Sequence, residues 1–189
     1  MANHVYFHIT TEESMKDCFE TDNTAREYNG TSISLIELKQ VHEQPFMANV
    51  EKTLDEDGWL EDSYNWYINN VGAKWCNLED SDEQYLSGYS AWSPPTEMLG
   101  HLAKFCKQDL RMTYEDEFRN FIGVAWGDED GLTSFEEIDG EDLNETLLEK
   151  LGIAEIPDEF DWWEERPELE GQSSQEFMDD EVFKWWENN

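Results

Sequence analysis

The chain has 189 residues, and its 46 Asp and Glu against 12 Lys and Arg leave a formal charge of -34 at pH 7. A field that negative excludes direct binding to a phosphate backbone, and the length asks for one hydrophobic core with an extension. Aromatic residues at 14%, with nine Trp and ten Phe, exclude a wholly disordered acidic chain, because such chains carry far less apolar surface.

Residues 5–10 (VYFHIT) are short, aromatic and β-branched and predict a first strand. A helix is expected next. Thr10 or Thr11 is placed to cap it, Glu12 and Glu13 fall in its first turn, and Met15, Cys18 and Phe19 follow at helical spacing before a polar turn at Asn29-Gly30. Ile33, Leu35, Ile36 and Leu38 fit both periods and leave strand and short helix open. Across residues 45–70, Phe46, Val50 and Leu54 at intervals of four predict helix, broken at Asp57-Gly58 and resumed through Trp59, Tyr64, Trp66, Tyr67 and Ile68, with Gly72 as a left-handed stop. Residues 73–78 (AKWCNL) and 85–92 (YLSGYSAW) flank the acidic turn EDSDEQ as a β-hairpin. Ser93-Pro94-Pro95 ends its second strand, and Thr96 and Glu97 open a helix through Met98, Leu99, Leu102, Phe105 and Cys106. Strands over residues 110–114 and 121–126 complete a sheet with a helix layer, an α+β fold.

The runs NNVGAKWCNL, SAWSPP and FIGVAW resemble the NWGTKW, TAWSPP and F-x-G elements of the YubB-like ferredoxin-like family, an uncharacterised group carried on plasmids and phages. The resemblance covers about residues 3–127 and rests on Gly72, Lys74, Trp75, Trp92, Ser93, Pro94, Pro95 and Gly123. Val71-Gly72-Ala73 stands where the family has Trp-Gly-Thr. The resemblance implies a ferredoxin-like antiparallel sheet and a mobile-element origin, and it carries no activity with it. For Lys74 and Trp75 the expectation is structural: Lys74 pairs with nearby carboxylates, while Trp75, like Trp92, fills the sheet–helix interface.

The composition then shifts. Residues 128–189 hold 23 acidic residues and three basic ones, Lys150, Arg166 and Lys184, a net of -20 against -14 for residues 1–127. We read residues 1–127 as the α+β domain and residues 128–189 as an acidic, Trp-containing extension that packs on it or projects from it. The residues expected to meet a partner are Asp128, Glu129, Asp130, Glu136, Glu137, Asp139, Glu141 and Asp142, then Asp158, Glu159, Asp161, Trp162, Trp163, Glu164 and Glu165, and finally Asp179, Asp180, Glu181, Trp185 and Trp186. In the last group Met178, Val182, Trp185 and Trp186 recur at i, i+4, i+7 and i+8, an apolar helical stripe with the acids mainly on the other side. Docking on its own core and entry into a partner's groove both stay open for this helix.

Other constellations are weaker. An EF-hand loop in GDEDGLTSFEEIDGED fails in register, since counting back from Gly131 at the sixth position puts Trp126 at the first. His4 and His8 share a strand face, yet with no Cys or third His nearby the reading is surface decoration, and no metal or cofactor is expected. No catalytic triad, phosphate-binding glycine loop or HExxH occurs, so no enzyme is expected. Cys18, Cys76 and Cys106 have no paired spacing and read as reduced core residues. The amino terminus lacks a basic and apolar leader, and no apolar run nears the roughly 18 residues that cross a bilayer, which together predict a cytoplasmic protein.

On a physical scale, 34 charges equal those of roughly 17 base pairs, about 58 Å of duplex, on a body only about 40 Å across. Adaptation to high salt is the bland explanation, but Lys is usually scarce in such proteins and here eight Lys outnumber four Arg. The expected function is therefore mimicry of nucleic-acid charge by a phage or mobile-element protein, occluding the basic surface of a host defence nuclease or nucleoid factor. The rival is an adaptor whose acidic carboxy-terminal helix enters a partner's apolar groove.

Overall fold

The computed structural model describes residues 3–28, 31–140 and 174–189. In β1 (His4–Thr10), Val5, Phe7 and Ile9 point to one face and are fully buried, while His4, Tyr6 and His8 point to the other. That alternation suits a strand covered on one side. β5 (Tyr85–Ala91) and β6 (Leu110–Asp116) pair with β1 on either side, both antiparallel. β4 (Cys76–Ser81) lies outside β5, and β7 (Phe121–Asp128) and β8 (Gly131–Asp139) lie beyond β6, giving a six-stranded antiparallel sheet in the order β4-β5-β1-β6-β7-β8. β2 (Thr21–Tyr28) and β3 (Thr31–Leu38) form a separate antiparallel ribbon after β1. The described α-helices are α1 (Ser63–Asn70), α2 (Thr96–Cys106) and α3 (Ser174–Asn188). Among the described residues no helix is long and apolar enough to cross a membrane. The α+β class predicted from the sequence is the class observed.

The main core lies under α2, whose Met98, Leu99, Leu102 and Ala103 meet Val5, Phe7, Ile9, Leu86 and Met112 of the sheet, with Phe46, Met47, Trp66 and Tyr67 closing one end. Two glycines set its geometry. Gly72 takes the left-handed φ of +91° that stops α1, its N–H and that of Val71 both donating to the Tyr67 carbonyl, and a Cβ there would press on the backbone nitrogens of Thr96 and Glu97. Gly123 leaves the space on β7 that the buried Tyr114 ring occupies.

Several expectations need correction. The helix foreseen after β1 is only a 3-10 turn, Lys16–Cys18; Met15 and Cys18 still reach the core, but residues 21–28 satisfy their backbone groups across to residues 31–38 as strand. The helical spacing in residues 45–62 is met by a 3-10 turn at Pro45–Met47 and a loop closed by a Leu54–Leu60 bridge, with Asp55 Oδ1 accepting from the N–H groups of Asp57 and Trp59. Only Ser63–Asn70 is α-helical there. The acidic turn of the hairpin is shorter than expected, because Glu79, Asp80 and Ser81 belong to β4. Cys18 and Cys106, expected to be reduced, form a disulfide across 88 residues of sequence, since the end of α2 lies over the turn that follows β1. Cys76 is a free, buried thiol whose pKa burial pushes up.

A second, smaller core sits on the opposite face of the sheet. Ile122, Val124, Trp126 and Ile138 of β7 and β8 receive Val182, Trp185 and Trp186 of α3, Val182 and Trp185 being buried. Polar clamps fix the helix at both ends. Arg119, in the β6–β7 loop, pairs with Glu115 and Asp179, Arg111 donates to the Trp186 carbonyl, and Trp186 Nε1 donates to the Gly123 carbonyl at 3.0 Å. The apolar stripe foreseen on this helix is thus turned onto its own sheet.

Two stability outcomes follow. Trp185→Ala empties this second core and should cost about 3–5 kcal/mol in denaturant unfolding, with an unchanged stability contradicting the packing. Replacing Cys18 and Cys106 together by Ser should cost about 2–4 kcal/mol, read as a lower melting temperature that reductant no longer shifts.

Candidate interaction surface

The residues that carry the family resemblance converge on one corner, except Gly123, which lies on β7. Ser93 Oγ donates to the Gly72 carbonyl at 2.7 Å and Ser90 Oγ to the Ser93 carbonyl at 2.6 Å, tying the end of α1 to the turn between β5 and α2. Lys74 differs from expectation: its Nζ lies 4.4 Å from the centre of the Trp92 ring, a cation–π contact in place of a carboxylate pair. Trp92 is 55% exposed at a φ of 73°, and Trp75 stands edge-on to His4 and Tyr89 on the face away from α2. Trp92 thus does not fill the sheet–helix interface, whereas Trp75 is half-buried and also packs against the main core.

The acidic positions occupy edges and outer surfaces. Asp128, Glu129 and Asp130 form the β7–β8 turn, closed by the Asp130 N–H on Asp128 Oδ1 at 2.8 Å. Glu136, Glu137 and Asp139 are exposed on β8, the last strand of the sheet. Glu137 also accepts the hydroxyl of Tyr114 at 3.1 Å; burial first, then the Glu137 charge, pushes the Tyr114 pKa up and keeps the phenol a proton donor. Asp179 and Asp180 are exposed on α3, Asp179 being held by Arg119, and Glu181 pairs with Lys184 at 2.5 Å. Trp185 and Trp186, expected at a partner's surface, face the protein's own sheet. Glu141, Asp142, Asp158, Glu159, Asp161, Trp162, Trp163, Glu164 and Glu165 lie outside the described residues.

Acidity extends beyond the predicted set. Glu79, Asp80, Asp82 and Glu83 line the opposite edge of the sheet, at β4 and its turn. A cleft of about 570 Å³ between the turn after β1 and the start of β6 has Glu12, Glu13 and Asp109 in its wall, with Arg111 and Trp126 beneath. The sequence reading also missed an aromatic surface: Tyr6 with His4 and His8 on β1, and Tyr85 and Tyr89 on β5, all on the face away from α2. Its signal was legible, since every second residue of residues 4–8 is aromatic where a solvent-facing strand usually carries polar groups. Comparison of the chain with family models, curated proteins and solved structures finds no match.

One buried titratable group lies apart from these surfaces. His42 sits against the rings of Trp66 and Tyr67, and its Nδ1 has no hydrogen-bond partner among the described residues. Burial lowers its pKa, outweighing the charge of Glu43. The unfolded chain therefore binds the proton more readily, so the contribution of neutral His42 is complete above about pH 6.5 and is lost as pH falls below it. Wild type should lose stability relative to His42→Phe between pH 7.5 and 5 (a comparison that cancels the titration of the carboxylates), and parallel unfolding curves at both pH values would refute this.

Proposed function

We propose that this chain is a non-enzymatic phage or mobile-element protein that presents carboxylates in place of phosphates and so occupies the basic surface of a nucleic-acid-binding protein, such as a defence nuclease or nucleoid factor. The observation that carries the reading is the placement of charge. Carboxylates are exposed along β8, in its turn and on α3 of a chain with a net -34, while Arg119 and Lys184 are already spent on internal pairs.

The finer fold reading belongs here too. The order β4-β5-β1-β6, with helices between β1 and β4 and between β5 and β6, follows the split βαβ pattern. It supports a ferredoxin-like unit to which the β2–β3 ribbon, β7–β8 and α3 are added, and it agrees with the resemblance to the YubB-like family. The rival adaptor reading draws less support, because α3 spends Val182 and Trp185 on its own sheet and keeps little apolar stripe for a partner's groove.

In the decisive experiment, protein immobilised at about 0.1 M salt is exposed to host lysate and washed with duplex DNA. Nucleic-acid-binding proteins should be retained and released by the duplex, and release should steepen with added salt. Combining Glu129→Gln, Asp130→Asn, Glu136→Gln and Asp180→Asn should weaken retention by at least about tenfold. Retention that neither duplex nor these substitutions reduce would sink the proposal.

A further inference from the structure

Among the described residues, the outward face of the sheet is covered on one half only. α3 lies over Ile122, Val124, Trp126 and Ile138, the aliphatic half. Over β1 and β5 no described element lies in the same way: Tyr6 is 45% exposed, and His8 is exposed beside it. The rings there form two groups on neighbouring positions of the same face. His4 lies 5.4 Å from Tyr89 and 5.5 Å from Trp75, Tyr89 lies 5.7 Å from Trp75 and 6.3 Å from Tyr6, and His8 stacks at 5.7 Å on Tyr85, whose hydroxyl is 2.7 Å from His8 Nδ1. Tyr6 and His8 on β1 are exposed and His4, Tyr85 and Tyr89 half-buried beside them, so the two paired strands present π-surface outward.

Charge selects the guest. The outward positions of β1, β5 and β4 include no Lys or Arg. Asp80 stands at one side of the rings, Glu115 opposite Tyr6 at the other, and Glu117 against His4 at 3.4 Å. Among the described residues, the cations nearest this face are engaged: Lys74 on the Trp92 ring, Arg119 on Glu115 and Asp179, Arg111 on the Trp186 carbonyl. A nucleobase would stack on such rings, but its phosphate would meet carboxylates, and these described cations are already engaged. A guanidinium is planar, stacks on aromatic faces and donates to carboxylates from its edge. We propose that this open half of the sheet is a stacking platform for arginine side chains of a basic protein segment. The proposal rests on the reading that the partner's surface is basic and adds which cation is read, and where.

The test is calorimetric titration of the full chain with capped peptides of five arginines or five lysines at 0.15 M salt. The charges are equal, so a purely ionic surface treats the two alike. Arginine should bind about 5- to 30-fold more tightly. That preference should vanish in Tyr6→Ser and persist in Tyr6→Phe, while unfolding curves check that the exposed position leaves the fold intact. Tyr89→Ser provides a second reading. Equal affinity for the two peptides, or a preference that survives Tyr6→Ser, overturns the platform. So does Tyr6-dependent binding of a dT12 strand, which would assign the face to nucleic acid, and so does a dimer lost on Tyr6→Ser, which would assign it to a second copy. The quadruple carboxylate variant, whose substitutions lie away from the rings, separates this idea from mimicry: it should lose retention and keep the arginine preference. In the unsubstituted chain, equal affinity for the two peptides with duplex-sensitive retention removes the platform alone, and a Tyr6-dependent arginine preference with retention that neither duplex nor the quadruple substitution reduces removes mimicry alone.

Discussion

Mutual repulsion among carboxylates sets the terms for this structure. A net of -34 on a body this small favours expansion, and the opposing force is burial of apolar surface at two places. Under α2 the sheet contributes Val5, Phe7, Ile9, Leu86 and Met112 to a core whose largest members are almost all fully inaccessible. Its one buried carboxylate near the sheet, Asp116, accepts from the N–H groups of Phe118 and Asn120 and from the Asn120 amide, so its charge is solvated by the β6–β7 turn. The other described acids of the sheet and of α3 lie mainly at edges, turns and outer helix faces, where water screens them.

α3 extends that balance into the acidic stretch. Its first described contact is electrostatic and its second is apolar: Arg119 meets Asp179 near one end, while Trp185 and Val182 sink onto Ile122 and Val124. One side of the helix therefore anchors, and the other, with Asp180 and Glu187, stays in solvent. The division follows from the 3.6-residue period, which separates burial from charge along a single helix.

Elements with strong local signals were legible in the sequence. β1 alternates, α2 is bracketed by Pro95 and a left-handed Lys107, and α1 stops at Gly72, so local chemistry and tertiary packing agree there. Where they disagree, packing prevailed. Met15, Cys18 and Phe19 are spaced like a helix face, but the turn that presents them is three residues long, and the disulfide partner of Cys18 is supplied by α2, 88 residues away. Phe46 and Leu54 likewise serve a loop. For the candidate surface, the acidic residues were legible by composition, and the direction in which α3 turns its tryptophans was not, because an amphipathic helix fits its own sheet and a foreign groove equally well. The aromatic face was not legible as a unit, because Tyr85 and Tyr89 join His4, Tyr6 and His8 only through the β1–β5 pairing, about 80 residues away in sequence.

Edge protection accounts for part of the acidity and no more. β4 and β8 are the outer strands of the described sheet, and charged side chains on edge strands discourage pairing with another chain. A few such charges on each edge suffice, and Glu79 and Asp80 on one and Glu136, Glu137 and Asp139 on the other meet that need. Residues 128–189 nonetheless contain 23 acids, and those on the outer face of α3 guard no strand. Solubility does not require them either, since a net charge of magnitude about 2–8 already keeps a small domain in solution. The surplus raises self-repulsion without improving the core, so its benefit has to come from outside the molecule, and a cationic surface is the partner whose attraction grows with every added carboxylate.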